Sequence, residues 1–255
     1  TTIDESLFNS FQWRSVGPWR GGRCLAVTGV RGDRNTYYMG AVGGGVWKTT
    51  DSGESWFCIS DSTFHSSSVG AIAVASTNKN IIYVGMGETE MRNNISFGDG
   101  IYKTTDAGKT WKHIGLEKTY SIGTIALNPQ NENLIYVAAQ GNIWVPNHDR
   151  GLYRSKDGGK TWENILFVND SVGCADVKID LTNPFVVYAS MWQCFRSPYS
   201  LTNGGKNCAL YKSTDGGDTW KKISENAGMP TGLDGKIIVS VSPVDGNKLF
   251  ALVEN

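Results

Sequence analysis

Glu88 and Glu90 set two carboxylates two residues apart at the end of the run Val84-Gly85-Met86-Gly87-Glu88. A pair of placed carboxyl groups is the equipment of glycoside hydrolysis, so the two are candidate acid and base. A structural role is the alternative reading of both. Downstream, Arg92 and Asp99 lie in the same stretch. A second stretch carries Trp144, His148, Asp149 and Arg150, and a third carries Trp192, Phe195, Arg196 and Tyr199. Aromatic rings flanked by guanidinium groups suit recognition of a glycan or a peptide. Equally, such side chains can order long loops and line a solvated channel.

Other chemistries find no support. His65, His113 and His148 are isolated in sequence, so neither a metal site nor a histidine triad is expected. No cofactor fingerprint is complete. Gly108-Lys109-Thr110 and Gly159-Lys160-Thr161 mimic the end of a phosphate loop, but Lys103 and Arg154 stand where the upstream glycine belongs. The five cysteines form no CxxC pair, which argues against zinc-ribbon and thioredoxin readings. Cys194 and Cys208 flank a Gly/Ser/Asn-rich segment, as a disulfide or as two free thiols. Lys plus Arg equals Asp plus Glu at 24 each, a balance that disfavours a nucleic-acid partner. No apolar run reaches the length of a transmembrane helix, and none is expected.

What must position these residues is a repeat. Gly45–Trp56, Gly100–Trp111, Gly151–Trp162 and Ala209–Trp220 align without gaps, recurring about every 50–60 residues. Each reads as strand, tight turn, strand. Asp51, Asp106, Asp157 and Asp215 can accept backbone N–H groups within their own turns. Gly53, Gly108, Gly159 and Gly217 supply a positive φ two residues later. Trp56, Trp111, Trp162 and Trp220 restart the strand with a large apolar face. Two further strands precede each unit, for example Ile122–Leu127 and Leu134–Ala138. The chain also holds 31 glycines in 255 residues, well above the roughly 7% of an average protein, which disfavours helices. The fold expected is all-β, a β-propeller of four-stranded antiparallel blades.

Four full blades are expected at 22–60, 69–115, 122–166 and 173–224, with a partial fifth at 236–255. Residues 1–21 form an N-terminal segment in which Phe11–Val16 is a candidate ring-closing strand. Because closure removes sheet edges, the rest of the propeller is expected beyond Asn255. The Asp turns join third to fourth strands. Second-to-third loops emerge at the opposite face, and those loops carry Glu88, Glu90, Arg92, Trp144, Asp149, Arg150, Trp192, Phe195, Arg196 and Tyr199.

The repeated segments match the Asp-box, S/T-x-D-x-G-x-S/T-W, and the chain resembles the BNR-repeat propellers. These include sialidases, xyloglucan-degrading glycosidases, sortilin-like receptors and photosystem assembly factors. Trp13–Arg23, Gly43-Gly44-Gly45-Val46-Trp47-Lys48 and Val84–Glu88 further resemble large bacterial secreted proteins with sortilin-like propellers, often described as glycosyl hydrolases. The resemblance implies a secreted, periplasmic or cell-surface location and a protein or glycan ligand. It also implies a test of catalysis. The xyloglucan-degrading pattern T-D-[VI]-G-G-x-[YW]-R places a catalytic aspartate in the first blade, and here Val42 occupies that position within Ala41-Val42-Gly43-Gly44-Gly45. The sialidase R-I-P motif is also missing. Three expectations therefore compete: a binding module, a glycoside hydrolase and a scaffold or assembly subunit.

Overall fold

In a computed structural model, residues 22–255 are described. The candidate ring-closing strand at 11–16 lies outside them. The first sheet is β1 (Cys24–Val30), β2 (Asp33–Ala41), β3 (Gly45–Thr49) and β4 (Phe57–Cys58), paired in that order. The second is β5 (Val69–Val74), β6 (Ile82–Met86), β7 (Ile101–Thr104) and β8 (Lys112–His113). The third is β9 (Ile122–Asn128), β10 (Asn131–Ala139), β11 (Gly151–Ser155) and β12 (Glu163–Leu166). The fourth runs β13 (Val172–Ile179), β14 (Val187–Arg196), β16 (Ala209–Ser213) and β17 (Lys221–Lys222), with β15 (Leu201–Asn203) paired to the far half of β14. A fifth pair is β18 (Ile237–Val241) with β19 (Leu249–Val253). All pairings among the described residues are antiparallel, and these residues form an arc of propeller blades.

The second strands explain the architecture. Every residue of β6 is buried, as are the last five of β10. A strand covered on both faces loses the apolar–polar alternation and becomes continuously apolar. The covering layers are the neighbouring blades. One cluster joins Tyr38 and Val46 of the first sheet to Val69, Val84, Tyr102 and Trp111 of the second. Another joins Tyr83 and Ile101 to Ile122, Ile125 and Ile135. Inner strands carry a register shift at one recurrent place, between Cys24 and Ala26, Val69 and Ala71, and Cys174 and Asp176. Such bulges increase local twist where strands crowd toward the axis.

The basic residue of the first three repeats has a structural task. Lys48 Nζ donates to Ala107 O at 3.0 Å, Lys103 Nζ to Gly158 O at 3.0 Å and Arg154 Nη1 to Gly216 O at 2.7 Å. Each of the first three blades thus grips the Asp turn of the next.

One expectation is corrected. Trp192, Phe195 and Arg196 do not lie on a loop. β14 continues through them, with Cys194 opposite Asn203, Phe195 opposite Thr202 and Arg196 opposite Leu201. Pairing with β15 satisfies backbone groups that a loop would leave to water.

Candidate functional site

The Asp boxes are distributed one to a blade at the third-to-fourth turns. Thr104 Oγ1 donates to Asp106 Oδ1 at 2.6 Å, while Thr110 N and Oγ1 reach its two oxygens at 2.9 and 2.6 Å. Asp51, Asp157 and Asp215 repeat the pattern through Ser55, Thr161 and Thr219. These donors stabilise the charged form. The Asp51 carboxyl is lowered to about 2, chiefly by the Ser55 hydroxyl, and the other three are also pushed well below the usual range. Trp111 Nε1 donates to Ile59 O at 2.9 Å and Trp162 Nε1 to Ile114 O at 2.8 Å, each in the preceding blade. Trp220 Nε1 instead donates within its own turn, to Gly217 O at 3.1 Å.

The opposite face brings together residues from all five sheets. Glu88 is fully buried. Arg23, just ahead of β1, donates to its Oε1 through Nε at 2.9 Å and lies within 2.8 Å through Nη2, with Arg92 Nε at 3.7 Å. Two hydrogen bonds close the base of this loop, from Glu88 N to Ser96 O at 2.8 Å and from Ser96 N to the Glu88 carboxylate Oε2 at 3.2 Å. Glu90 is exposed and pairs with Lys236 Nζ at 3.2 Å, whose ammonium lies 5.3 Å from the centre of the Trp192 ring. Arg196 directs both Nε, at 2.8 Å, and Nη2 onto Asn93 Oδ1. The loop between β6 and β7 therefore reaches past the third blade to the fourth and fifth.

Two residues expected at a ligand-facing rim are in the interior. Arg150 is wholly buried, with Nη2 on Asn142 O at 2.5 Å, Nη1 on Ser171 O and Cys194 O at 3.3 Å each, and the guanidinium 5.1 Å from the Phe195 ring. Burial lowers its pKa, and carbonyl dipoles solvate the charge. Trp192 is only 4% exposed, clustered with Ile95, Ile143, Ala175, Cys194 and Cys208. Trp144 packs half-buried against that cluster; Asp149 and Phe195 are also half-buried, and Tyr199 projects almost free.

Cys194 and Cys208 are free thiols, which corrects the disulfide alternative. Cys194 Sγ accepts from Gln140 Nε2 at 3.5 Å and Arg150 Nη1 at 3.7 Å, whereas Cys208 Sγ accepts from Gln193 N at 3.1 Å. Each sulfur faces a different donor, and the register pairs Cys194 with Asn203. Burial raises both thiols.

Sequence reasoning missed Asp176, a buried acid on β13. Its Oδ1 accepts from Thr124 Oγ1 at 3.0 Å and Lys178 Nζ at 2.8 Å, and its Oδ2 from Val239 N at 3.0 Å. It joins three blades. An acid inside the apolar stretch Cys174–Ile179 was the available signal.

The Sortilin-Vps10 family (Sortilin, neurotensin receptor 3) matches residues 44–180. A xyloglucanase of Hypocrea jecorina is 27% identical over 242 residues, covering 84% of this chain and 27% of its own length. The photosystem II assembly lipoprotein Ycf48 of Trichormus variabilis is 28% identical over 145 residues, covering 48% and 41%. The crystal structure of an ancestral GH74 enzyme superposes with a TM-score of 0.67 at 24% identity, over 96% of this chain and 29% of that one. The chain thus spans under half the length of these relatives, and the structural likeness establishes the propeller fold.

Proposed function

The chain belongs to the Sortilin-Vps10 family, and from that premise we propose that it is the binding module of a secreted, periplasmic or cell-surface protein, recognising a protein or glycan ligand through its loop-rich face. The carrying observation is the state of the carboxylates on that face. Glu88 is buried against Arg23, and Glu90 is paired with Lys236. Asp176 is committed to Thr124, Lys178 and Val239. With Val42 in place of the expected first-blade acid, no pair among these acids flanks an open cleft as hydrolysis requires. Tyr199, Trp144 and Arg196 supply aromatic and guanidinium surface for recognition.

The test is titration with xyloglucan oligosaccharides and with a peptide array, before and after Trp144→Ala, Tyr199→Ala and Arg196→Ala. Lost binding in these variants supports the reading, and unaltered affinity rejects this surface. Glycoside hydrolysis is the second reading, favoured by the likeness to xyloglucanases. Turnover of xyloglucan that Glu88→Gln abolishes would establish it in place of the first. A scaffold or assembly role, favoured by the likeness to an assembly lipoprotein, would appear as stable co-purification with a partner.

A further inference from the structure

The loop between β6 and β7 has the form of a bound ligand. Clasped at its base by Glu88 and Ser96, it crosses to the fourth and fifth blades and makes three kinds of side-chain contact there. Glu90 meets the Lys236 ammonium. Asn93 receives the Arg196 guanidinium. Met91 and Ile95 join the apolar cluster of Trp192, Ile143, Ala175 and Trp144. The intervening Arg92 and Asn94 are exposed. Met91 and Ile95 are the apolar anchors, Glu90 and Asn93 make polar contacts at the exposed rim, and a turn at Asn93–Asn94 brings the loop back to its clasp; apolar anchors within a polar rim are also how a short peptide ligand is held.

Two features mark the loop as a stand-in rather than the best occupant. The Arg196 fork closes on one neutral amide oxygen, whereas its paired N–H groups match the two oxygens of a carboxylate. Trp192, which packs in one cluster with Ile95 of the loop, carries at Nε1 a buried donor without a hydrogen-bond partner among the described residues. Buried indole N–H groups ordinarily find an acceptor, and a ligand main-chain carbonyl is one. Exposed ion pairs such as Glu90–Lys236 hold weakly in water, so displacement is inexpensive.

We infer that residues 90–95 are an internal occupant of a peptide site built from Trp192, Trp144, Ile143, Arg196 and Lys236. The external ligand is a short peptide with an acidic residue, an apolar residue directly after it, a second acidic residue in place of Asn93 and an apolar residue at the Ile95 position. This rests on the binding-module reading and narrows its ligand class to acidic-apolar peptides.

The probe is the capped peptide of residues 88–96, Glu-Thr-Glu-Met-Arg-Asn-Asn-Ile-Ser, and its Asn93→Asp counterpart. The receptors are the intact chain and a chain with residues 90–95 replaced by Gly-Ser-Gly, which keeps the Glu88–Ser96 clasp. The expected result is saturable binding to the shortened chain, roughly ten- to hundred-fold tighter than to the intact one, since a mostly occupied site reduces apparent affinity by its free fraction. The Asn93→Asp peptide should bind tighter, and Lys236→Ala or Arg196→Ala should weaken both. If the shortened chain does not fold, Met91→Ser with Ile95→Ser in the full-length loop replaces it, with the same expected gain. Equal binding by loosened and intact chains, or equal binding of a scrambled peptide, overturns the inference while leaving the binding module standing. Capture of a xyloglucan oligosaccharide but no peptide by the loosened chain does the same. Failure of every probe on both chains defeats the binding-module reading as well.

Discussion

Asp157 accepts hydrogen bonds from Ser155 Oγ, Lys160 N, Thr161 N and Thr161 Oγ1. A carboxylate held by four donors within its own turn is committed to that turn, which is why the four most recognisable acids in the sequence are turn-formers. Their contribution depends on pH with a definite sign. The folded carboxyls titrate below the roughly 3.9 of an unfolded aspartate, so their stabilisation is complete above that value and fades as pH falls toward about 2, where Asp51 protonates. Unfolding monitored by circular dichroism between pH 7 and 2 should show stability falling only below about pH 4. Asp106→Asn should be less stable at pH 7 and show a shallower acid loss. A variant with an unchanged acid profile would contradict the role assigned to these hydrogen bonds. The residues of the opposite face were less legible. Arg23 and Glu88 are 65 positions apart, and nothing in local spacing announces their pairing. Arg150 and Trp192 have the residue types of a binding rim, yet tertiary packing buries both.

Between elements, the repeat works by docking the Asp turns of the second, third and fourth blades onto the blade before each. Trp111 is 9% exposed and donates to Ile59 O. Trp111→Ala removes that bond and a buried ring, and should cost about 3–5 kcal/mol in chemical denaturation. Gly159 is held at φ +91°, where a Cβ would sit 2.4 Å from Ile114 Cδ1 of the preceding blade. Gly159→Ala should therefore destabilise by about 1–3 kcal/mol, from backbone strain and overpacking together. Wild-type melting in either variant would show that the turns do not carry the blade junctions. This level was readable in advance: the Asp, Gly and Trp positions announced the hairpins, and the apolar segments preceding each repeat announced the first and second strands. The extension of β14 into a hairpin with β15 was not. The Trp192–Tyr199 stretch holds aromatics, Pro198 and Ser197 in a pattern that strand and loop can share, and pairing with Leu201–Asn203 decided it.

Across the whole molecule, Asp176 holds the third, fourth and fifth blades at one buried point. Asp176→Asn removes the charge facing Lys178 and weakens the acceptor for Val239 N, so β18 and β19 should lose hydrogen-exchange protection before the earlier blades do. Uniform protection across all blades would refute that coupling. The sequence by itself determined the all-β class, the blade period, the hairpin turns and the face from which long loops emerge. Those features follow from residue types a few positions apart, because turn geometry and strand-forming apolar runs are local. The tertiary structure alone decided which loop-face residues are buried, which acids are neutralised and by what, and that the second blade's loop lies over the fourth. Those depend on side chains brought together from blades 50 to 150 residues apart, and burial of a charge is settled by the partners packing supplies.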